Sequence, residues 1–192
     1  MSRAAPSHGA GDLAPSPWIV RFAPLVPAGA RVLDLACGTG RHARLFADRG
    51  CRVLAVDRDA AALAALARVA GVETARLDLE TGAWPLAGEE FDAIVVANYL
   101  HRPLFPFLLA SLAPDGLLLY ETFARGNEAF GRPSNPDFLL EPGELLRLVA
   151  GRLKVVAYEE GQVDGGAQRG PCLLYTSPSP RDSTSSRMPS SA

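Results

Sequence analysis

The segment Arg31–His42, RVLDLACGTGRH, runs from an apolar strand pattern into a glycine turn and then into a helix pattern. Val32–Leu35 is an apolar run carrying one acid, Asp34, and it opens into Ala36-Cys37-Gly38-Thr39-Gly40. Arg41–Arg49 follows with helical spacing, with Leu45 and Phe46 facing inward and Gly50 as its stop. A strand, a tight turn and a helix N-terminus in immediate succession bring bare backbone against a charged ligand. Gly38 and Gly40 are two apart, with a carboxylate four residues before the first, which is not dinucleotide spacing. A side chain larger than methyl at 36, 38 or 40 would collide with ligand or helix.

Outward from this segment, strand runs alternate with helix patterns, the signature of an α/β fold around a parallel sheet. Trp18–Val26 reads as a short leading helix. Strand two is Arg52–Val56, ending in Asp57. Asp59 caps an alanine-rich helix over Ala60–Ala70, stopped by Gly71. Strand three is Glu73–Leu77, ending at Asp78, and Thr81–Glu90 is a polar connection. Strand four, Phe91–Ala97, is continuously apolar, as a buried parallel strand requires. A helix over Pro103–Leu112 is weakened by Pro106, and Pro114-Asp115-Gly116 turns into strand five, Leu117–Thr122. Ala124–Glu141 is a long Gly-, Pro-, Asn- and Arg-rich loop of the kind that is either functional or disordered. Pro142 opens a last helix, Gly143–Ala150, and Leu153–Tyr158 is strand six.

Composition narrows the function. The chain has 192 residues and a net charge of −2, so it carries no electrostatic footprint for non-specific DNA binding. Cys37 and Cys51 lack metal-ligand spacing, and His8, His42 and His101 are scattered, which argues against a metal site. Free thiols fit a reducing cytoplasm. No apolar run approaches the ~18 residues of a membrane span. Residues 1–16 lack the apolar core of a signal peptide, and their Ala, Gly, Pro and Ser content suggests a mobile arm.

The stretch Asp34–Gly40 resembles motif I of the class I S-adenosylmethionine (SAM) methyltransferases, acidic-x-Gly-x-Gly-x-Gly, with Ala36 in place of the first glycine. The resemblance covers Pro17–Arg169. It implies a Rossmann-like, doubly wound, mostly parallel sheet of strand order 3-2-1-4-5-7-6, and SAM as cofactor. Asp34 then meets the methionyl ammonium, while the backbone of Ala36, Cys37, Gly38 and Gly40 lies against the methionyl moiety. Asp57 ends strand two, where a carboxylate accepts two hydrogen bonds from a ribose diol, a placement that also serves NAD in dehydrogenases. Arg58 either lies over the adenine or points into solvent. In similar methyltransferases an Asp at the position of Asp78 meets the adenine amine, and the amide at the position of Leu79 meets a ring nitrogen.

Ala97-Asn98-Tyr99 follow strand four, where the resemblance brings the methyl acceptor. Asn98–Pro103 lacks the paired prolines of the methylases that modify DNA amino groups, which argues against that substrate. His101 is the candidate general base or orienting group. Tyr99, Arg125, Arg132 and Asn135, together with Asn127, are candidates to bind an oxyanionic or carboxylated small molecule. The segments GTGRHA, NYLHRP and ETF look most like the small bacterial methyltransferases related to tellurite-resistance proteins. The competing readings are a non-catalytic SAM-binding module and an NAD-type oxidoreductase. The glycine spacing and the lack of a Tyr-x-x-x-Lys motif disfavour the oxidoreductase.

Residues Cys172–Asp182, CLLYTSPSPRD, and Ser186–Ala192, SRMPSSA, back-translate in one frame into sequence resembling a transposase-type sequencing-library adapter. The segment 172–192 is therefore expected to be a translated artefact that lies outside the domain of residues 17–171 and truncates it. Strand seven is expected as weak strand character over Ala167–Thr176, with the tail occupying its slot and disorder beyond.

Overall fold

The computed structural model describes residues 14–161 and 169–176, the second stretch in its backbone alone. Expectations for residues 1–13, 162–168 and 177–192, including most of the N-terminal arm and the end of the tail, lie outside the described residues. A sheet of order β3-β2-β1-β4-β5-β7-β6 is formed by β1 (Arg31–Leu35), β2 (Arg52–Asp57), β3 (Val72–Arg76), β4 (Phe91–Ala97), β5 (Leu112–Phe123), β6 (Lys154–Glu159) and β7 (Arg169–Thr176). The first five strands pair in parallel, and β7 runs antiparallel to both β5 and β6. The expected order is present, and β7 runs through the position expected to end the domain: Cys172 pairs with Glu121 and Glu159.

The strands are apolar on both faces because helices cover both. Leu33, Leu35, Ile94, Val96, Leu118 and Tyr120 point to one side. There they meet α4 (Phe105–Ala110) and α5 (Glu144–Val149) through Phe105, Leu108, Leu145 and Val149. Val32, Val53, Ala55, Val95 and Leu119 point to the other. There they meet α1 (Pro17–Phe22), α2 (Arg41–Asp48) and α3 (Ala60–Ala64) through Trp18, Ile19, Ala43, Phe46 and Leu63. Strict two-residue alternation makes each strand serve both layers.

Several boundaries differ from the sequence reading. α3 keeps its Asp59 cap, whose carboxylate accepts the Ala61 and Ala62 amides, but it ends at Ala64. Beyond it the chain tightens into i→i+3 bonds, and the Arg44 guanidinium takes the Ala65 carbonyl at 2.6 Å, drawing it out of the helical ladder. β5 begins at Leu112, which pairs with Phe91 before the expected Pro114-Asp115-Gly116 turn interrupts the ladder as a bulge. α5 starts after Gly143, whose φ of +66° supplies the N-cap, so Pro142 lies outside the helix. Phe46 is fully buried in α2 and Leu45 only half-buried, because His42, Ala43 and Phe46 form the inward stripe. The connection Thr81–Glu90 carries two core residues, Trp84 and Leu86, and the Trp84 indole N–H donates to the Ser111 hydroxyl at 3.2 Å.

Candidate functional site

The strand order reverses between β1 and β4, and the carboxyl ends of these strands open the crevice where α/β sheets bind ligands. Asp34 lies one residue before the end of β1 and is 1 % exposed. The Ala43 amide in the first turn of α2 donates to its carboxyl group, and its Oδ2 has no hydrogen-bond partner among the described residues. Burial pushes its pKa up to about 7; the Ala43 amide and nearby Arg41 oppose the rise and Asp57 adds to it. A buried carboxylate with one unsatisfied oxygen is costly unless a cationic group meets it.

The turn after β1 is held by its own backbone. The Cys37 amide donates to Val56 O at 3.0 Å, and the Gly40 amide donates to Cys37 O at 3.0 Å. Ala36 adopts φ +53°, so the position that departs from the glycine pattern keeps the left-handed conformation. Gly38 and Gly40 serve different ends. A Cβ on Gly40 would sit 2.3 Å from the Leu66 methyls, so a side chain there would have to displace that buried leucine, and its φ of +77° favours glycine as well. A Cβ on Gly38 would meet no protein atom within 4 Å, so the space beside it is open. The Cys37 thiol is buried in the core beneath α2 and donates to the Gly38 carbonyl of the turn at 3.5 Å. Burial raises its pKa, with Asp34 and Asp57 adding to the rise.

Asp57 braces the turn. Its Oδ2 accepts the Gly38 amide at 2.8 Å and its Oδ1 the Asp59 amide at 2.9 Å. Each oxygen retains a further lone pair for a hydroxyl. Beyond it, Arg58, Arg76 and Asp78 line an open cleft of about 500 Å³. Asp78 Oδ1 accepts the Glu80 amide at 3.0 Å, and Leu79 packs half-buried against the core. Ala97 ends β4, paired with Glu121 of β5.

The residues after β4 and β5 divide. Tyr99 directs its hydroxyl to Glu80 Oε1 at 3.5 Å. Burial raises its pKa, then Glu80; Arg58 opposes the rise and Asp78 adds to it. The structure therefore groups Tyr99 with the Asp57–Asp78 side and not with Arg125, Arg132 and Asn135. His101 is half-exposed on the β4 exit. Arg125 is engaged by Glu141 at 2.8 Å, and the Asn135 side chain accepts the Asp137 amide at 3.1 Å, so both brace the loop. Buried Asn127 donates to Pro133 O at 2.9 Å, whereas Arg132 is exposed. The long loop is ordered by two short 3₁₀ turns and a bridge between Ala124 and Leu140.

Sequence reasoning passed over a buried polar cluster beside Asp34's layer. The Ser16 amide donates to His42 Nε2 at 3.1 Å, and the Ser16 hydroxyl donates to Glu121 Oε2. Glu121 stands out as a charge within the apolar run of β5, and that was the available signal. Among the described residues no group of three or more His, Cys, Asp or Glu is placed to hold a metal ion, and no helix is long and apolar enough to cross a membrane.

A Rossmann-like sheet with a glycine turn and carboxylates at successive strand ends is an arrangement in which α/β folds seat nucleoside-bearing cofactors. Residues 32–115 match the family model described as "Methyltransferase domain". The chain is 41 % identical over 96 residues to a protein-L-isoaspartate O-methyltransferase of Methylorubrum populi, an alignment covering 46 % of this chain and 45 % of that protein. The chain thus matches less than half the length of that curated relative. The N-methyltransferase NodS of Bradyrhizobium japonicum WM9, solved with S-adenosyl-L-homocysteine (SAH), superposes with a TM-score of 0.66 at 20 % identity, covering 83 % of this chain and 84 % of that one. A TehB-like SAM-dependent methyltransferase of Corynebacterium glutamicum gives 0.62 at 20 % identity, over 83 % and 86 %. Residues 32–115 are thus similar to a methyltransferase domain, and the whole sheet has the fold of these solved SAM-dependent methyltransferases.

Proposed function

We propose that this chain transfers the methyl group of SAM to a small-molecule acceptor, with residues 17–171 as the working domain and the segment from Cys172 onward foreign to it. The observation that carries this reading is the buried Asp34 carboxyl with its unpartnered Oδ2, beside a turn whose Gly38 faces open space. Those features fit the cofactor: Asp34 takes the ammonium, the turn backbone lies along the methionyl chain, Asp57 accepts the ribose hydroxyls, and Asp78 with the Leu79 amide meets the adenine. When bound, SAM supplies an electrophilic methyl group on a sulfonium. The protein's task is then alignment, holding the acceptor atom about 3 Å from that methyl at the exits of β4 and β5. A thiol or chalcogen oxyanion needs no strong base, whereas an amine or hydroxyl does, and His101 is placed on the β4 exit to take that proton. Arg132 is the exposed cation available to an anionic acceptor. A cytoplasmic location fits the free, buried Cys37 and Cys51.

The test is calorimetry of the full chain with SAH and with NADH, followed by methyl transfer from SAM to a panel of thiols, selenite and tellurite. Saturable SAH binding, no NADH binding and turnover on one acceptor are the expected results. NADH binding in place of SAH overturns the reading. SAH binding with no transfer to any acceptor favours a SAM-binding module.

A further inference from the structure

The β4 exit and the loop after β5 are joined by one side chain. Arg102 extends its guanidinium from the β4 exit against Glu144 at the start of α5, with Nε to Oε1 at 2.6 Å and Nη2 to Oε2 at 2.9 Å. The same guanidinium donates to two loop carbonyls, Asp137 O at 2.7 Å from Nη1 and Leu139 O at 2.9 Å from Nη2. Glu144 Oε2 also accepts the Glu141 amide at 2.8 Å, so the carboxylate holds the loop's last residue while the arginine holds its preceding turn. Glu144 is only 13 % exposed in its side chain, and Leu139 and Leu140 are fully buried. The ion pair raises the Arg102 pKa. Burial alone would raise that of Glu144, but the Arg102 hydrogen bonds and the Glu141 amide bring it below its ordinary value.

We propose that Arg102 is a positioning residue that sets the acceptor loop, Ala124–Glu141, in register with the β4 exit that carries His101. This inference rests on the methyltransferase reading only for what the loop faces; the coupling itself rests on the four hydrogen bonds. A planar five-donor fork can meet a carboxylate and two divergent carbonyls together, and a lysine ammonium lacks that geometry. With the fork removed, the two carbonyls lose their donor, while Arg125 N to Leu140 O (2.9 Å), Leu140 N to Phe123 O (3.0 Å), the Arg125–Glu141 pair and the Glu141 amide on Glu144 are left to hold the base of the loop.

The test is hydrogen–deuterium exchange on the full-length wild type, Arg102→Lys and Arg102→Ala, with SAH affinity measured in parallel and free guanidinium chloride added at low millimolar concentration. The expected result is at least tenfold faster exchange of peptides within 124–141 in both variants, unchanged exchange in β1, β2 and β4, SAH affinity within twofold of wild type, and partial recovery of loop protection in Arg102→Ala with guanidinium. The proposal is overturned if loop exchange stays within twofold of wild type, if Lys restores full protection, or if exchange rises uniformly over the sheet. Failure of wild-type SAH binding would strike the methyltransferase reading and leave the loop result standing.

Discussion

Asp34→Asn is expected to move stability and cofactor affinity in opposite directions. In the folded chain the Asp34 pKa stands at about 7 against 3.8 for the free side chain. That difference corresponds to roughly 4 kcal/mol against the ionised form in the native state, an upper bound of order-of-magnitude quality. The sign follows from proton counting. Between about pH 4 and pH 7 the native state holds a proton that the unfolded chain has released, so stability falls across that window and levels off above it. Asparagine has nearly the same shape, keeps an acceptor for the Ala43 amide and removes the ionisation cost, but adds a buried NH₂ worth about 1–3 kcal/mol if unsatisfied. The variant should therefore be more stable than wild type by about 1–3 kcal/mol at pH 8, with a flatter stability profile from pH 4 to 7. It should also bind SAH some 10–100-fold more weakly, since a charged hydrogen bond of about 1.5–3 kcal/mol is lost. Denaturant melts across pH with calorimetry at pH 8 measure both. SAH affinity within twofold of wild type would refute the placement of the ammonium at Asp34, and an unaltered stability profile between pH 4 and 7 would refute the burial-driven rise of its pKa.

Asp57→Ala should weaken SAH by about 1–3 kcal/mol in calorimetry, and it should also speed amide exchange at Gly38 and Asp59, whose N–H groups the carboxylate now holds. The two glycines of the turn should separate. Gly40→Ala drives a methyl into Leu66 and should cost about 1–3 kcal/mol or more of stability, and the costs of Gly40→Ala and Leu66→Ala should be less than additive in the double variant. Gly38→Ala should cost about 1–2 kcal/mol through its positive φ, with a disproportionate loss of SAH affinity. His101→Ala should leave SAH affinity unchanged and lower turnover by about 10²–10⁴-fold on an amine or hydroxyl acceptor; unchanged turnover there removes His101 from proton transfer.

Much of this architecture is local, and local patterns are legible. Phe91–Ala97 is apolar at every buried position, and Val32–Leu35 at every one but Asp34, because both faces of a parallel strand are covered, and β1 and β4 span the expected residues. Asp59 announces its helix because an Asx cap is a contact between near neighbours in sequence. The helix's early end does not show in the sequence, since the Ala65 carbonyl just beyond it bonds a distant side chain, that of Arg44. The same limit applies to the site. Asp34, Gly38 and Asp57 could be singled out one strand end at a time. That Asp57 grips the amide of Gly38, and that Tyr99 lies beside Glu80, are facts of strands brought side by side.

Sequence alone determined the order of strands and helices, the glycine turn and the acids at the strand ends, because each is written within a few consecutive residues. Tertiary structure alone decided that Gly40 answers to Leu66 while Gly38 answers to open space, that Arg125 and Asn135 brace their loop, and that Arg102 ties that loop to Glu144. These are contacts between segments far apart in the chain, and a side chain's partner is set by what packing leaves within its reach.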